Sequence, residues 1–148
     1  MSTVTVARRG ALLRGPLLIF ALLVACTSIA QKGAAEAAVN QFHDRLDAAS
    51  YDQIYDGSDD RFRATATREQ FAKVLTAIHD KLGKVTASKQ TNFSAQDRAG
   101  TDAGSYVQLV YDTQFASGRG TETFTWRVDG GQVRLYSYNI NSADLITK

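Results

Sequence analysis

Cys26 is the only cysteine in this chain of 148 residues, and its sulfur is the most distinctive nucleophile in the sequence. A thiolate reacts readily near neutral pH. One cysteine cannot form an internal disulfide, and no CxxC or Cys/His spacing indicates a zinc site. We therefore expect any chemistry here to be modification of a single sulfur atom, and we expect no metal and no cofactor.

The two histidines each have an acidic neighbour. His43 and Asp47 are spaced i, i+4 and would share one face of a helix, whereas His79 and Asp80 are adjacent and would not face each other. The first pair could form a general base or part of a metal site, but a metal needs a third ligand that no local motif supplies. We interpret both histidines as solvated or capping residues. The sequence contains none of the common hydrolase, phosphate-loop, zinc-protease or dinucleotide motifs and assigns no catalytic residue.

The segment before Cys26 has the composition of a secretory signal. Residues 1–15 contain three arginines and no acidic residue, and residues 16–25 form an uninterrupted apolar run. A positive flank followed by a short apolar core is typical of an export signal. A ten-residue helix rises about 15 Å, roughly half the hydrocarbon core, so a membrane-spanning helix is not expected. We expect a signal peptide over residues 1–25.

Leu23-Val24-Ala25-Cys26 resembles the lipobox of bacterial lipoproteins, which has leucine three residues before the cysteine and a small residue one before it. The resemblance implies that the Cys26 sulfur receives a diacylglyceryl group and that the leader is cut before Cys26. Two or three acyl chains bind a membrane far more stably than a single chain. Thr27, rather than Asp, follows the cysteine, and by analogy with enteric bacteria this favours the periplasmic side of the outer membrane.

Ser28-Ile29-Ala30 offers a competing interpretation, because its small-x-small spacing suits ordinary signal cleavage. Cleavage after Ala30 would discard Cys26 and release a soluble periplasmic protein beginning at Gln31. In the lipoprotein interpretation, residues 26–33 form a short polar tether and residues 34–148 form one domain.

The charge distribution argues against nucleic-acid binding. Arg8, Arg9 and Arg14 all precede Cys26, so the remainder of the chain has 14 Lys and Arg against 15 Asp and Glu. No run of Lys or Arg remains after the leader, and such runs are the electrostatic footprint of nucleic-acid binding.

Hydrophobic periodicity predicts two main helices followed by four strands. The first helix is expected over residues 34–50, and the second begins at the capping box Thr67-x-x-Gln70 and ends at Gly83. Residues 51–65, between the two helices, are predicted to form a short helical turn followed by an irregular segment. Beyond Gly83 the period becomes two, and the predicted strands cover residues 85–93, 106–115, 121–128 and 133–140. The expected fold is α+β, with both helices on one face of a four-stranded antiparallel meander.

This order of elements resembles small bacterial lipoproteins of the cystatin-like, or nuclear-transport-factor-2-like, superfamily that are domains of unknown function. The resemblance covers roughly residues 34–140. Its most suggestive parts are the helix exit at Leu82-Gly83-Lys84-Val85 and the hairpin from Glu122 to Val133 through Asp129-Gly130-Gly131. It implies a curved sheet on helices, sometimes with a pocket and often with dimerisation through the open sheet face. The superfamily includes enzymes and non-enzymes, so the resemblance transfers no site residue.

The sheet face opposite the helices is the predicted interaction surface. Strict alternation places apolar and aromatic residues there with Arg127 and Arg134, a composition found at interfaces, although tyrosine also favours strands in general. The members are Tyr106, Val110, Tyr136, Tyr138 and Ile140. We predict a non-enzymatic module that binds a protein partner or a second copy through this face.

A small-ligand binder or enzyme is the alternative, with its pocket between helix one and the sheet. It requires an enclosed cavity of about 300 Å³ or more. A helix–sheet space filled by large side chains would argue against it, and the residues expected to fill that space are Phe42, Leu75, Leu109, Phe124 and Trp126.

Overall fold

The computed structural model describes the backbone of residues 17–147 and the side chains of residues 30–147. The chain forms helices first and then one sheet, as predicted. In chain order the elements are α1 (Leu17–Asp47), α2 (Tyr51–Asp56), α3 (Asp60–Thr65), α4 (Arg68–Leu82), β1 (Val85–Arg98), a 3-10 turn (Gly100–Asp102), β2 (Gly104–Phe115), β3 (Arg119–Asp129), β4 (Gln132–Asn141) and α5 (Asp144–Thr147).

Helix α1 begins earlier than predicted and runs without interruption through residues 27–33, which were expected to form an irregular tether. Lys32 and Glu36 form an i, i+4 ion pair there, and the alanines that follow favour helix. From residue 30 onward, where side chains are described, the buried stripe of α1 consists of Ala35, Val39, Phe42 and Leu46. The predicted lipobox falls on residues 23–26, and its side chains lie outside the described residues, as does the start of the predicted signal peptide.

Helix α4 has the predicted boundaries. Thr67 Oγ1 accepts a hydrogen bond from the Gln70 N–H at 3.2 Å, and Gln70 Oε1 accepts one from the Thr67 N–H at 3.0 Å, which confirms the capping box. Gly83 follows the helix with φ of 76°, a conformation that favours glycine. Phe71, Leu75, Ile78 and Leu82 are buried, whereas Val74, which precedes Leu75, is 51% exposed.

Residues 51–65 form two short helices instead of a turn and an irregular run. The Asp59 side chain caps α3 by accepting a hydrogen bond from the Arg61 N–H at 3.0 Å. The Asp59 N–H donates to the Leu135 carbonyl at 2.9 Å, and Ser58 forms an isolated bridge with Leu135. The connection between α2 and α3 is therefore fixed against the start of β4.

The sheet is the predicted meander, with four antiparallel strands in the order β1-β2-β3-β4. Gly130 and Gly131 have φ of 55° and 82°, the geometry of a tight hairpin turn between β3 and β4. The predicted faces of β2 and β3 are confirmed, because the helix-facing side chains are buried at the expected alternate positions. These include Val107, Leu109, Phe124 and Trp126.

A bulge in β4 overturns the predicted face of its second half. Thr125 pairs with Ser137 while the next residue, Trp126, pairs with Leu135, so Tyr136 is an extra residue in the strand. An extra residue reverses the side-chain alternation beyond it. Tyr138 and Ile140 pair with the core residues Phe124 and Glu122 and therefore face the helices, so their assignment to the open face was wrong.

The buried core lies between the helices and the sheet. Its largest fully buried apolar side chains from β2 to β4 include Leu109, Phe115, Phe124 and Leu135, which meet Leu46, Leu75 and Leu82 from the helices. Among the described residues, none of the helices has both the length and the apolar character needed to cross a bilayer.

Candidate functional site

Glu122 is the most unusual residue in the core, because it is a carboxylate with no exposed surface. It lies on the helix-facing side of β3, in the same alternating series as Phe124 and Trp126. Burying a carboxylate is costly unless donors satisfy it. Glu122 must therefore have partners inside the fold, and these define the candidate site.

Three donors from three different elements surround the Glu122 carboxylate. Oε2 lies 2.8 Å from His43 Nε2 on α1 and accepts a second hydrogen bond, from the Thr113 hydroxyl on β2. Oε1 accepts a hydrogen bond of 2.8 Å from the Tyr138 hydroxyl on β4. We call His43, Thr113, Glu122 and Tyr138 the buried quartet.

Local sequence places each member of the buried quartet. His43 follows Phe42 and sits one turn after Val39, at the edge of the apolar stripe of α1, and is 6% exposed. Thr113 occupies a helix-facing position of β2, two residues from Tyr111 and from Phe115. The bulge at Tyr136 turns Tyr138 inward, so the irregularity of β4 completes the quartet.

Aromatic rings enclose the quartet. The Phe42 ring lies 4.7 Å from the Tyr138 ring and 5.1 Å from the Phe124 ring, and the Phe124 ring lies 5.8 Å from His43. Trp126 stacks on the far side of Phe124. These rings supply apolar packing and keep water away from the contact between Glu122 and His43, which strengthens its hydrogen bond.

Burial raises the pKa of the Tyr138 hydroxyl well above its ordinary value, and the negative charge of Glu122 and the hydrogen bond to it raise the pKa further. Tyr138 therefore remains a neutral donor to Glu122 at neutral pH. With donors on both oxygens, the carboxylate is hydrogen-bonded within the fold and turned away from solvent.

The space between α1 and the sheet is filled. Phe42, Leu75, Leu109, Phe124 and Trp126, the residues expected to fill it, are each no more than 5% exposed. A space bordered by both α1 and the sheet, next to Ala38, Phe42 and Trp126, is about 40 Å³. Ligand pockets are about 300 Å³ or larger, so this space holds a water-sized molecule at most.

The pH dependence of the free energy of unfolding in a Tyr138→Phe variant tests the buried quartet. At pH 7 we expect a loss of about 1–2 kcal/mol in the free energy of unfolding, because Glu122 Oε1 loses a donor. In the parent, the folded chain holds the Tyr138 proton more tightly than the unfolded chain. The stability from this proton is therefore complete below the ordinary tyrosine pKa of 10.0 and is lost as pH rises towards the folded value.

Urea unfolding of parent and variant at pH 7 and above pH 10 measures this effect. The stability difference between them should shrink at the higher pH. A difference that stays constant across the range would contradict the placement of the Tyr138 hydroxyl on Glu122.

The open face carries only part of the predicted interface. Tyr106, Val110 and Tyr136 lie on it, as predicted, but Tyr106 is only 1% exposed. The Arg98 guanidinium covers the Tyr106 ring at 4.2 Å, and the Tyr136 ring packs edge-on against it at 4.9 Å. Val110 and Tyr136 are half-buried and remain the accessible members of the predicted set.

Asp102 ties this part of the open face to α3. Its carboxylate accepts hydrogen bonds from Tyr106 at 2.9 Å, from Tyr136 at 3.1 Å and from Arg98 at 3.1 Å, and it also pairs with Arg61. Desolvation, the largest single influence, raises the pKa of Asp102. The hydrogen bonds from Tyr106, Arg98 and Tyr136 and the charge of Arg61 together outweigh it and hold the pKa below its usual value.

The sequence interpretation of His43 was wrong, because this histidine is buried on Glu122 and not solvated or capping. Its expected neighbour Asp47 instead accepts a hydrogen bond from the Val85 N–H at 3.0 Å. His79 is partly exposed, and its Nδ1 lies 3.8 Å from an Asp80 oxygen. Glu122 escaped prediction although one signal was available: it is an acidic residue at a core-facing position of an alternating strand.

Among the described residues, no three His, Cys, Asp or Glu side chains lie close enough together to hold a metal ion. The predicted lipidation residue Cys26 has no described side chain, so the structure adds no contact for it.

The helices and the four-stranded antiparallel sheet define an α+β domain, and the buried quartet lies in its core. The solved structure titled "Putative Scytalone Dehydratase", from Novosphingobium aromaticivorans, has a TM-score of 0.50 and 12% sequence identity, with 80% of this chain and 88% of that chain covered. At this identity the similarity concerns the fold alone.

Residues 38–138 match the family described as "Protein of unknown function (DUF4019)", and the chain belongs to this family. The match runs from α1 to β4 and includes every member of the buried quartet. No curated protein matches the chain.

Proposed function

We propose that this chain is a lipid-anchored cell-envelope protein whose folded domain is a non-catalytic interaction module. The observation that carries the proposal is the filled interior: the space beside Phe42 between α1 and the sheet is about 40 Å³ and leaves no room for a substrate. The fully buried carboxylate of Glu122 is hydrogen-bonded to three side chains of the fold. Binding of other molecules therefore takes place at the outer surface of the domain.

The anchor in this proposal is Cys26, with acyl chains on its sulfur and on the new amino terminus. Ala35, the first buried residue among the described side chains of α1, follows Cys26 by nine positions. A helix of that length rises about 14 Å, so the domain would be held close to the membrane surface. Periplasmic exposure on the outer membrane follows the Thr27 analogy, and cleavage at Ala30 is the soluble alternative.

Intact-mass measurement on the protein purified from membranes of a producing bacterium tests the anchor. The proposal predicts a chain beginning at Cys26 with the added mass of two or three acyl chains. A mass beginning at Gln31 without lipid would overturn the anchor, and Cys26→Ser should abolish membrane retention.

The interaction surface in this proposal is the open sheet face, which is more polar than the sequence predicted. Gln108 and Val110 lie at its centre on β2, with Thr123 beside Val110 on β3. Tyr136 and Ser137 extend the surface on β4. Hydroxyl and amide groups around a small apolar centre suit a protein partner recognised largely by hydrogen bonds, as in the polar, reversible class of interfaces.

Photo-crosslinking in cells tests this surface. A photoreactive phenylalanine analogue at Val110 should give one defined adduct, and the same analogue at Lys73, exposed on α4, is the matched control. An adduct from Val110 and none from Lys73 supports the open face. Equal adducts from both positions, or none from Val110, would contradict it.

The buried Glu122–His43 pair supports one alternative, a small-ligand or enzyme site inside the fold. Paired carboxylate and imidazole groups are common acid–base partners. That function requires the aromatic wall of Phe42, Phe124 and Tyr138 to open far enough to admit a ligand. Solvent access to His43 distinguishes the two functions.

A further inference from the structure

A mainly apolar groove runs between α4 and the outer edge of β4, away from the open sheet face. Its volume is about 350 Å³, and Lys81 is its one charged lining residue. The α4 wall has Val74, Ala77 and Ile78, the β4 wall has Tyr138, Asn139 and Ile140, and Leu145 of α5 closes one end. The Lys81 ammonium donates to the Leu145 carbonyl at 2.7 Å, which fixes α5 at that end.

The edge of β4 beside this groove lacks the features that protect the opposite edge of the sheet. β1 has an exposed lysine, Lys89, near its middle and two register irregularities along its length, which hinder pairing with another strand. On β4 the Ser58 bridge covers Leu135, and residues 137–141 beyond the bulge carry no charge. Within the described part of the chain, no other strand pairs with this edge.

The two large hydrophobic residues that are exposed in the described chain flank this groove. Val74, 51% exposed, lines it, and Ile146, 85% exposed, follows Leu145 in α5. Val74 lies two helical turns before Lys81, about 10 Å from the α5 end. An apolar groove beside a free strand edge, with exposed apolar residues at both ends, is typical of an association site.

We propose that the occupant is a second copy of this chain, whose β4 pairs antiparallel with the first across a two-fold axis at Asn139. The axis sets Tyr138 opposite Ile140 of the second copy and makes one eight-stranded sheet. The two-fold axis also makes the two β4 strands run in opposite directions. As a result, α5 of the second copy approaches the start of β4 in the first copy. Ile146 of the second copy is thereby carried to the Val74 end of the groove, and the same contact repeats symmetrically.

The charges along β4 and α5 favour a second copy of this chain as the partner, and they favour the pairing centred on Asn139. Residues 137–141, at the centre of the interface, are uncharged, so self-pairing there meets no repulsion. Arg134 precedes the paired segment and is exposed. Asp144 follows that segment in α5, where it is half-buried and accepts a hydrogen bond from the Arg119 N–H at 3.1 Å. The two-fold axis brings Arg134 of each copy to the end where Asp144 of the other copy lies.

Sedimentation of the full-length chain in non-denaturing detergent tests the proposal. The parent should be dimeric, and Asn139→Lys should shift it to monomer, because the axis places two positive charges opposite each other. Asn92→Lys is the matched control, since Asn92 is an exposed asparagine on the other edge strand. A monomeric parent, a dimeric Asn139→Lys chain, or equal dissociation by Asn92→Lys would overturn the proposal.

Disulfide trapping checks the register independently. Asn139→Cys in a full-length Cys26→Ser chain leaves one thiol, and directly opposed residues of antiparallel strands have Cβ atoms about 4.5–5.5 Å apart, close to disulfide reach. Oxidation should convert most of this chain to a covalent dimer, and the exposed control Ser94→Cys on β1 should remain largely monomeric. Equal trapping at both positions would contradict the β4 interface.

The dimer is proposed at the β4 edge, whereas the partner interaction is proposed at the open sheet face. Either proposal can therefore be contradicted without affecting the other. Loss of the Val110 adduct with an intact β4 dimer would overturn only the open-face interaction. A monomeric parent with a defined Val110 adduct would overturn only the dimer.

Discussion

Replacing His43 with leucine should lower the free energy of unfolding by roughly 3 kcal/mol or more. Leucine fills a similar volume but donates no hydrogen bond, so Glu122 would remain buried with one donor fewer on Oε2. The Glu122 side chain has no exposed surface through which water could replace that donor. Urea unfolding of the purified protein at pH 7, followed by circular dichroism, measures the change.

Two control experiments isolate the contribution of the His43–Glu122 contact to the free energy of unfolding. His79→Leu removes the other histidine, which is partly exposed on α4, and should cost less than about 1 kcal/mol. Glu122→Gln in the His43→Leu background removes the uncompensated charge, so the double variant should be more stable than the sum of the single losses predicts. Strict additivity of the two losses would contradict direct coupling between the residues.

Phe124→Ala should destabilise the domain by about 3–5 kcal/mol. Phe124 has no exposed surface and lies at the centre of the aromatic cluster, 5.1 Å from the Phe42 and Tyr138 rings. Alanine there would leave a cavity beneath α1 and loosen the wall around the buried quartet. Urea unfolding measures the loss, and Phe124→Leu should cost less because it leaves a smaller void.

Thr123→Ala is the matched control for this change. Thr123 precedes Phe124 on β3 and points to the open face, so its truncation should change stability by about 1 kcal/mol at most. Equal losses from the two alanine variants would mean that the core does not lie on the Phe124 side of the sheet.

Sequence periodicity predicted the parts of this fold in which one rule holds over many residues. The capping box and glycine of α4, the alternation of β2 and β3, and the glycine turn before β4 are all short-range signals. The second half of β4 was predicted wrongly because one extra residue, Tyr136, reverses the side-chain pattern. No short-range signal in the segment 132–141 marks that bulge.

The candidate site was harder to predict because its members are far apart in sequence. His43 and Glu122 are separated by 79 positions, and neither has a motif around it. Tyr106 was expected to be exposed, but Arg98 and the turn containing Asp102 cover it. These contacts follow from tertiary packing and not from local pattern.

The central claim is that the interior around Glu122 is closed, and the reactivity of His43 towards diethyl pyrocarbonate tests it most directly. His43 has 7% of its side chain exposed and His79 has 27%. His79 Nε2 is buried, so His79 serves as the reference through its Nδ1. Peptide mass spectrometry after brief treatment of the folded protein should show carbethoxylation at His79 and essentially none at His43, with both modified in urea. Modification of folded His43 at the same rate as His79 would contradict a closed interior and favour a ligand site.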